Sequence, residues 1–216
     1  QTAVRALPAL GFSGCNLTIP HKVEVMQWLD VVEPAACRIG AVNTIVVQTD
    51  GSLLGRNTDA FGFIASLHQE HPRWRADSGP VCVIGAGGAA CAVLAALLDF
   101  GVSEIRLCNR SAGKAQDMAQ AFGPRVQAVS WEDRHEALHG VSLLVNTTNQ
   151  GMYGQEPLDL QLDALPKEAV VSDIIYVPLD TPLLAAAKAR GNATSHGLGM
   201  LLHQARPAFE AWFGVQ

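Results

Sequence analysis

Residues 80–93, PVCVIGAGGAACAV, limit the folds open to this chain more than any other stretch. PVCVIG is apolar without alternation, which suits a strand buried on both faces. Gly85, Gly87 and Ala90 then fall at G-x-G-x-x-A. That spacing puts glycine where a turn is tight and where backbone must approach a pyrophosphate. A small third residue lets the next helix pack on the strand. The helix start offers unpaired N–H groups and a partial positive charge. A strand, turn and helix of this kind bind a dinucleotide; the competing reading is a plain tight turn rich in glycine and alanine.

The pattern continues downstream. Apolar runs at 104–108, 125–129, 141–146 and 169–175 read as further strands. Helices are expected over 92–101, over 111–123 with Ser111 as N-cap, and over 181–191, where Thr181, Pro182 and Gly191 supply cap, first residue and stop. Alternating strands and helices predict an α/β fold with a doubly wound parallel sheet. Residues 1–58 follow another plan. VNTIVVQ and SLLG flank Asp50-Gly51, a hairpin signal, and 22–30 reads as a short helix. These are too few elements for a complete domain. The amphipathic stretch 197–214 has no strand after it and is expected to return onto the first region. With 72–80 as linker, the expected division is 1–75 plus 197–216 and 76–196.

With 49% hydrophobic and 16% charged residues, the chain has material for a core and is not a disordered polymer. A net charge of −5 disfavours nucleic acid or an anionic membrane as main partner. No run reaches the roughly 18 apolar residues of a spanning helix, and no basic-then-apolar leader opens the sequence. Cys15, Cys37, Cys82, Cys91 and Cys108 form no CxxC and read as reduced packing residues of a cytoplasmic protein.

Which dinucleotide is decided after the second strand. NAD-binding versions end it with Asp or Glu on the ribose 2′-hydroxyl; here stand Asn109, Arg110 and Ser111. A guanidinium can bind a 2′-phosphate through two hydrogen bonds, and Lys114 adds charge one turn on. This favours NADP; the alternative leaves Arg110 and Lys114 as solvated cations. Lys22, behind Pro20 and His21, and Asp59, at a helix start, are candidate proton-transfer partners, since an alcohol–ketone interconversion moves a proton as well as a hydride. A surface lysine and a capping aspartate are the plainer reading. His135 and His139 in HEALH fit a zinc string on a helix, but no third ligand is evident, so an exposed polar helix and no metal are expected.

The ordered words NLTIPHK, AVNTIV…DGSLLGRNTDAFGF, VIGAGGAACAV, NRSAGKA, VNTTNQGMYG, DIIYVPLDTPLL and GLGMLLHQA resemble the shikimate dehydrogenase family over essentially the whole chain. The resemblance implies a Rossmann domain beside a smaller α/β catalytic domain, N-terminally incomplete here, with the active site between them. It implies NADP-dependent interconversion of 3-dehydroshikimate and shikimate in aromatic amino acid biosynthesis. Carried over by position, Lys22 and Asp59 are catalytic; Thr18, Asn43, Asp59, Tyr176 and Gln204 meet the substrate. Gly85, Gly87, Gly88 and Ala89 form the pyrophosphate loop, and Asn109, Arg110 and Ser111 match the family's Asn-Arg-Thr. Thr147, Thr148 and Met152 lie beside the riboses, and Gly197 and Met200 line the nicotinamide. Ser111 stands where the family has threonine. The family's opening strand and Ser-x-Ser loop do not precede Gln1, so the sequence as given is expected to hold cofactor better than substrate. The implied partner is a small cyclic polyol; monomer and homodimer stay open. Quinate or an aminoshikimate-type substrate, or a non-catalytic dinucleotide-binding remnant, are the alternatives.

Overall fold

The computed structural model describes residues 1–18 and 20–215; Ile19, within NLTIPHK, and Gln216 lie outside the described residues. The first region runs α1 (Thr2–Ala6), β1 (Gly14–Asn16), α2 (His21–Glu24), β2 (Val31–Val32), α3 (Pro34–Ile39), β3 (Thr44–Val47), β4 (Leu53–Arg56) and α4 (Asp59–Glu70). Asp50-Gly51 does turn a hairpin: β3 and β4 pair antiparallel, Thr44 opposite Arg56 and Val47 opposite Leu53. Gly51 takes a φ of +84°, and the Asp50 carboxylate accepts from the Ser52 N–H at 2.9 Å. The four-stranded sheet has the order β1-β3-β4-β2, with β1 antiparallel to β3 and β2 parallel to β4. Leu7, Val25, Ala36, Val42, Ile45 and Leu53 form its core.

The second region runs β5 (Val81–Ile84), α5 (Gly88–Asp99), β6 (Ile105–Cys108), α6 (Ala112–Phe122), β7 (Val126–Val129), β8 (Leu143–Asn146), β9 (Val170–Asp173), α7 (Pro182–Arg190), β10 (Ala193–His196) and α8 (Gly197–Phe213). Its six strands are parallel in the order β10-β9-β8-β5-β6-β7. All four residues of β5 are buried because both faces are covered. Val81 and Val83 face Val93, Leu94 and Leu97 of α5, whereas Cys82 and Ile84 face Leu138, Leu144 and Leu184. From β5 the chain winds outward through β6 and β7, then returns to β8 and winds the other way. The switch point, where such sheets hold ligands, therefore lies at the carboxyl ends of β5 and β8.

Two regions become one body through α4, α5 and α8. Phe63 and Leu67 of α4 enter the core that α5 shares with the parallel sheet. As expected, α8 returns to the first region and packs along α4. The two helices touch closely at Gly62, where a Cβ would stand 2.6 Å from the Met200 carbonyl oxygen and 2.7 Å from Gln204 Cβ. An ion pair between Arg38 of α3 and Asp99 of α5 spans the same junction.

Several expectations need correction. HEALH is not an α-helix: one 3₁₀ turn, Glu136–Leu138, lies within it, just after another at Glu132–Arg134, and Ala137 and Leu138 turn inward under the sheet. His135 Nδ1 accepts from the Gln161 N–H at 3.0 Å, while His139 reaches Glu136 at 2.9 Å, so the two rings serve separate bonds. Residues 22–30 hold only one turn of α2 and a 3₁₀ turn, Val25–Trp28. Cys82 and Cys108 are fully buried, but Cys37 is exposed on α3 and is no packing residue. Ser111 sits at the N-cap position of α6 without a side-chain capping bond. Strand β10 had no apolar signature; its sequence, ATSH, pairs at the sheet edge.

Candidate active site

Asp59 opens α4 directly after β4, and Lys22 lies in α2, directly after the loop that leaves β1. The short α2 is tied down by its own backbone, the Lys22 carbonyl accepting from the Val42 N–H at 2.8 Å. The result is a direct contact: Lys22 Nζ lies 2.7 Å from Asp59 Oδ2, with side chains 25% and 14% exposed. Both are therefore shielded from water yet open on one side, unlike a surface pair, in which solvent screens the attraction.

Asn43 holds the other carboxylate oxygen. Its Nδ2 donates to Asp59 Oδ1 at 2.9 Å and lies 3.2 Å from Gln204 Oε1, which comes from α8. Its Oδ1 accepts from the Thr58 N–H at 2.9 Å and from the Thr44 hydroxyl at 2.9 Å. Asn57 closes the turn by accepting from the Asp59 N–H at 3.0 Å. Thr58 and Asn57 escaped the sequence reading although both sit in GRNTDAFG. Their signal is the short polar run ending a strand, which supplies side-chain bonds to a helix start.

The pair opens on a cleft of about 360 Å³ lined by Asn16, Thr18, Lys22, Asp59, Tyr176, Gly197, Met200 and Gln204, among others. Seven predicted residues thus meet in one hollow, and Asn43 backs it from beneath. Asn16 was missed; its amide bonds the Asn43 carbonyl at 3.2 Å and the Thr44 hydroxyl at 3.1 Å. Tyr176 is half-exposed over the cleft.

A second hollow of about 310 Å³ lies at the switch point, lined by Gly85, Gly87, Asn109, Arg110, Ser111, Lys114, Trp131, Thr147 and Thr148, among others. Gly85 takes a φ of +110°, and a Cβ there would stand 2.6 Å from Thr147 Oγ1. Asn109 ties the loop to the end of β6: its Oδ1 accepts from the Ala86 N–H at 3.2 Å and its Nδ2 donates to the Ser111 carbonyl at 3.0 Å. At Gly87 and Gly88, by contrast, a Cβ would meet no protein atom within 4 Å. Packing does not demand glycine there, and the open space over the helix start fits a phosphate-bearing group. Ala89 follows in the first turn of α5, and Ala90 is fully buried against the sheet. Arg110 and Lys114 are exposed, and among the described residues neither is paired with a carboxylate.

The loop after β8 is held from below by a buried network. Asn146 Nδ2 donates to Asp173 Oδ1 at 3.1 Å, and Asp173 Oδ2 accepts from the Thr181 hydroxyl at 2.8 Å. Burial pushes the Asp173 carboxyl above its ordinary value, against these hydrogen bonds. Asn146 Oδ1 in turn accepts from the Thr148 hydroxyl at 2.8 Å. Met152 does not join either hollow: it is exposed on the loop that follows. A larger hollow, about 540 Å³, lies at the amino ends of the strands around Trp74 and Val170. Size alone does not assign it, since parallel sheets present ligand sites at their carboxyl ends.

A doubly wound sheet with an open glycine turn, next to a cleft that holds an ammonium–carboxylate pair, defines a dinucleotide-dependent oxidoreductase. Residues 1–45 match the shikimate dehydrogenase substrate binding domain and residues 68–175 the shikimate/quinate 5-dehydrogenase family. A shikimate dehydrogenase (NADP(+)) of Paramagnetospirillum magneticum is 60% identical over 99% of this chain and 78% of its own. Among solved structures, quinate dehydrogenase from Corynebacterium glutamicum in complex with NAD superposes with a TM-score of 0.92 at 34% identity, over 99% of this chain and 77% of the other. Shikimate 5-dehydrogenase from Thermus thermophilus, in complex with NADP(H) and shikimate, gives 0.87 at 38% identity, again over 99% and 77%. The chain belongs to the shikimate dehydrogenase family.

Proposed function

We propose that this chain interconverts 3-dehydroshikimate and shikimate with NADP as cofactor, in the cleft between the two sheets. The observation that carries the reading is the 2.7 Å contact between Lys22 and Asp59, opening on the hollow that Gly197 and Met200 also line. When bound, NADPH supplies a hydride to the carbonyl carbon. Lys22 gives the proton that turns the carbonyl oxygen into a hydroxyl, and takes it back in the reverse direction. Asp59 orients the ammonium and, with Asn43, Thr18, Gln204 and Tyr176, offers donors and acceptors to a ring of hydroxyls. Gly85, Gly87, Gly88 and Ala89 leave room for a pyrophosphate at the start of α5. Arg110, Ser111 and Lys114 take a 2′-phosphate, which supports NADP over NAD. Thr147 and Thr148 flank a ribose, whereas Met152 stays outside both hollows.

This reading divides the chain into a substrate unit, 1–75 plus 197–216, and a cofactor unit, 76–196. The five free thiols fit a reducing, cytoplasmic setting. Among the described residues no helix is long and apolar enough to cross a membrane. Replacing Lys22 by alanine is expected to lower turnover roughly 100- to 10,000-fold, the usual scale of general acid catalysis, with NADPH affinity unchanged. Turnover within about threefold of the parent removes Lys22 from the mechanism. A quinate reading draws support from the backbone likeness to the quinate dehydrogenase; a panel of cyclic polyols assayed with NADP and NAD separates the two.

A further inference from the structure

We propose that Trp131 is the platform on which the purine end of the dinucleotide lies, and that Arg134 holds that platform rigid; this rests on the NADP reading above. Trp131 directly follows Ser130 at the end of β7 and is, among the described residues, the one aromatic side chain lining the second hollow. Strand order places it one strand beyond Arg110: the glycine turn follows β5, Arg110 follows β6, and Trp131 follows β7. A pyrophosphate at the glycine turn and a 2′-phosphate at Arg110 fix two points of the adenosine half. The base hangs from the same ribose as that phosphate, so it lies in the part of the hollow that Trp131 walls.

The indole is built to receive a flat ring. Part of it packs on the core around Cys108 and Leu138. The guanidinium of Arg134 stands 4.7 Å from the ring centroid. Arg134 itself cannot swing: its Nη1 donates to the Trp131 carbonyl at 2.8 Å, its Nε to the Asp159 carbonyl at 2.8 Å, and Nη2 pairs with the Asp159 carboxylate at 2.5 Å. Its side chain is only 11% exposed. A cation over an indole is a stable arrangement, and it leaves the remaining ring surface to the hollow. Stacking of a base on an aromatic side chain does not read the 2′-position. Trp131 therefore acts on NADPH and NADH alike, whereas Arg110 and Lys114 discriminate between them.

The test titrates adenosine 2′,5′-bisphosphate, NADPH and NADH into the full chain, followed by calorimetry and by tryptophan emission. The parent is compared with Trp131→Ala, Trp131→Leu and Trp131→Phe, each first checked for a cooperative thermal melt. Trp131→Ala is expected to weaken all three ligands by the same factor, about tenfold. Trp131→Leu, which keeps apolar bulk without a ring, weakens them similarly, and Trp131→Phe restores affinity to within about threefold. The emission change on adding the bisphosphate disappears in Trp131→Phe, because Trp28, Trp74 and Trp212 lie outside the hollow. Bisphosphate binding within about twofold of the parent in Trp131→Leu overturns the assignment, as does an emission change that survives in Trp131→Phe. A parent chain that fails to bind the bisphosphate at all contradicts the NADP reading instead, so the two failures are distinguishable.

Discussion

Single side chains with two obligations set much of the chemistry here. Asp173 is fully buried, yet it accepts bonds from Asn146, Thr181 and the Ile175 N–H and so anchors the loop after β8. Its raised carboxyl is a stability statement. The folded state binds this proton more tightly than the unfolded chain, so the group's contribution falls as pH rises from the ordinary carboxylate value to the raised one. Asp173→Asn keeps the oxygen that accepts from Asn146 and the Ile175 N–H, and its amide N–H can donate to the Thr181 oxygen, without the buried charge. It is expected to hold or raise the melting temperature at neutral pH and to flatten the pH dependence across that window. Asp173→Ala strands three polar partners and is expected to cost about 3 kcal/mol in a denaturant titration. Lower stability of Asp173→Asn at neutral pH, matching the alanine variant, would contradict this account. Lys22 and Asp59 were read from the sequence as candidate partners on chemical grounds, while the contact itself was not legible, because a separation of 37 residues carries no distance information. Asn146 and Asp173 escaped notice because a polar residue ending an apolar strand run looks like the start of a loop.

The elements bring those residues together through close approach. Helices α4 and α8 carry Asp59 and Gln204, and both meet Asn43 only because Gly62 lets the backbones touch. Gly62→Ala forces a shift of helix backbone, not of a flexible tip. The expected cost is about 1–3 kcal/mol of stability, with KM for the polyol raised severalfold. A Gly62→Ala variant with parental KM and melting temperature would show that the approach is not needed. Strands β5, β6, β8 and β9 and helices α5 to α7 were legible in the sequence because two-sided burial writes continuous apolar runs and glycine stops, while the edge strand β7 showed through its valines. Strand β10 was not, because an edge strand needs no apolar pattern. HEALH misled because helical spacing of two histidines says nothing about Ala137 and Leu138, whose burial goes with a single 3₁₀ turn.

At the scale of the molecule, the Lys22–Asp59 cleft takes residues from both regions, the glycine-turn hollow from the parallel sheet alone, and α4, α5 and α8 fix the two in register. The order of motifs suggested two units, while the junction itself, with Gly62 and the Arg38–Asp99 pair, became visible only in three dimensions. The central claim is that Lys22 and Asp59 work as one proton-transferring unit beside the cofactor. The most direct test is a double-mutant cycle on turnover of shikimate with NADP, using Lys22→Ala, Asp59→Asn and the pair combined, with NADPH affinity measured alongside. Groups that act as a unit are strongly non-additive. Each single change is expected to lower kcat by roughly two orders of magnitude or more, the double variant to fall little further, and NADPH affinity to stay within about twofold. Losses that multiply in the double variant, or a single variant with near-parental turnover, would contradict it.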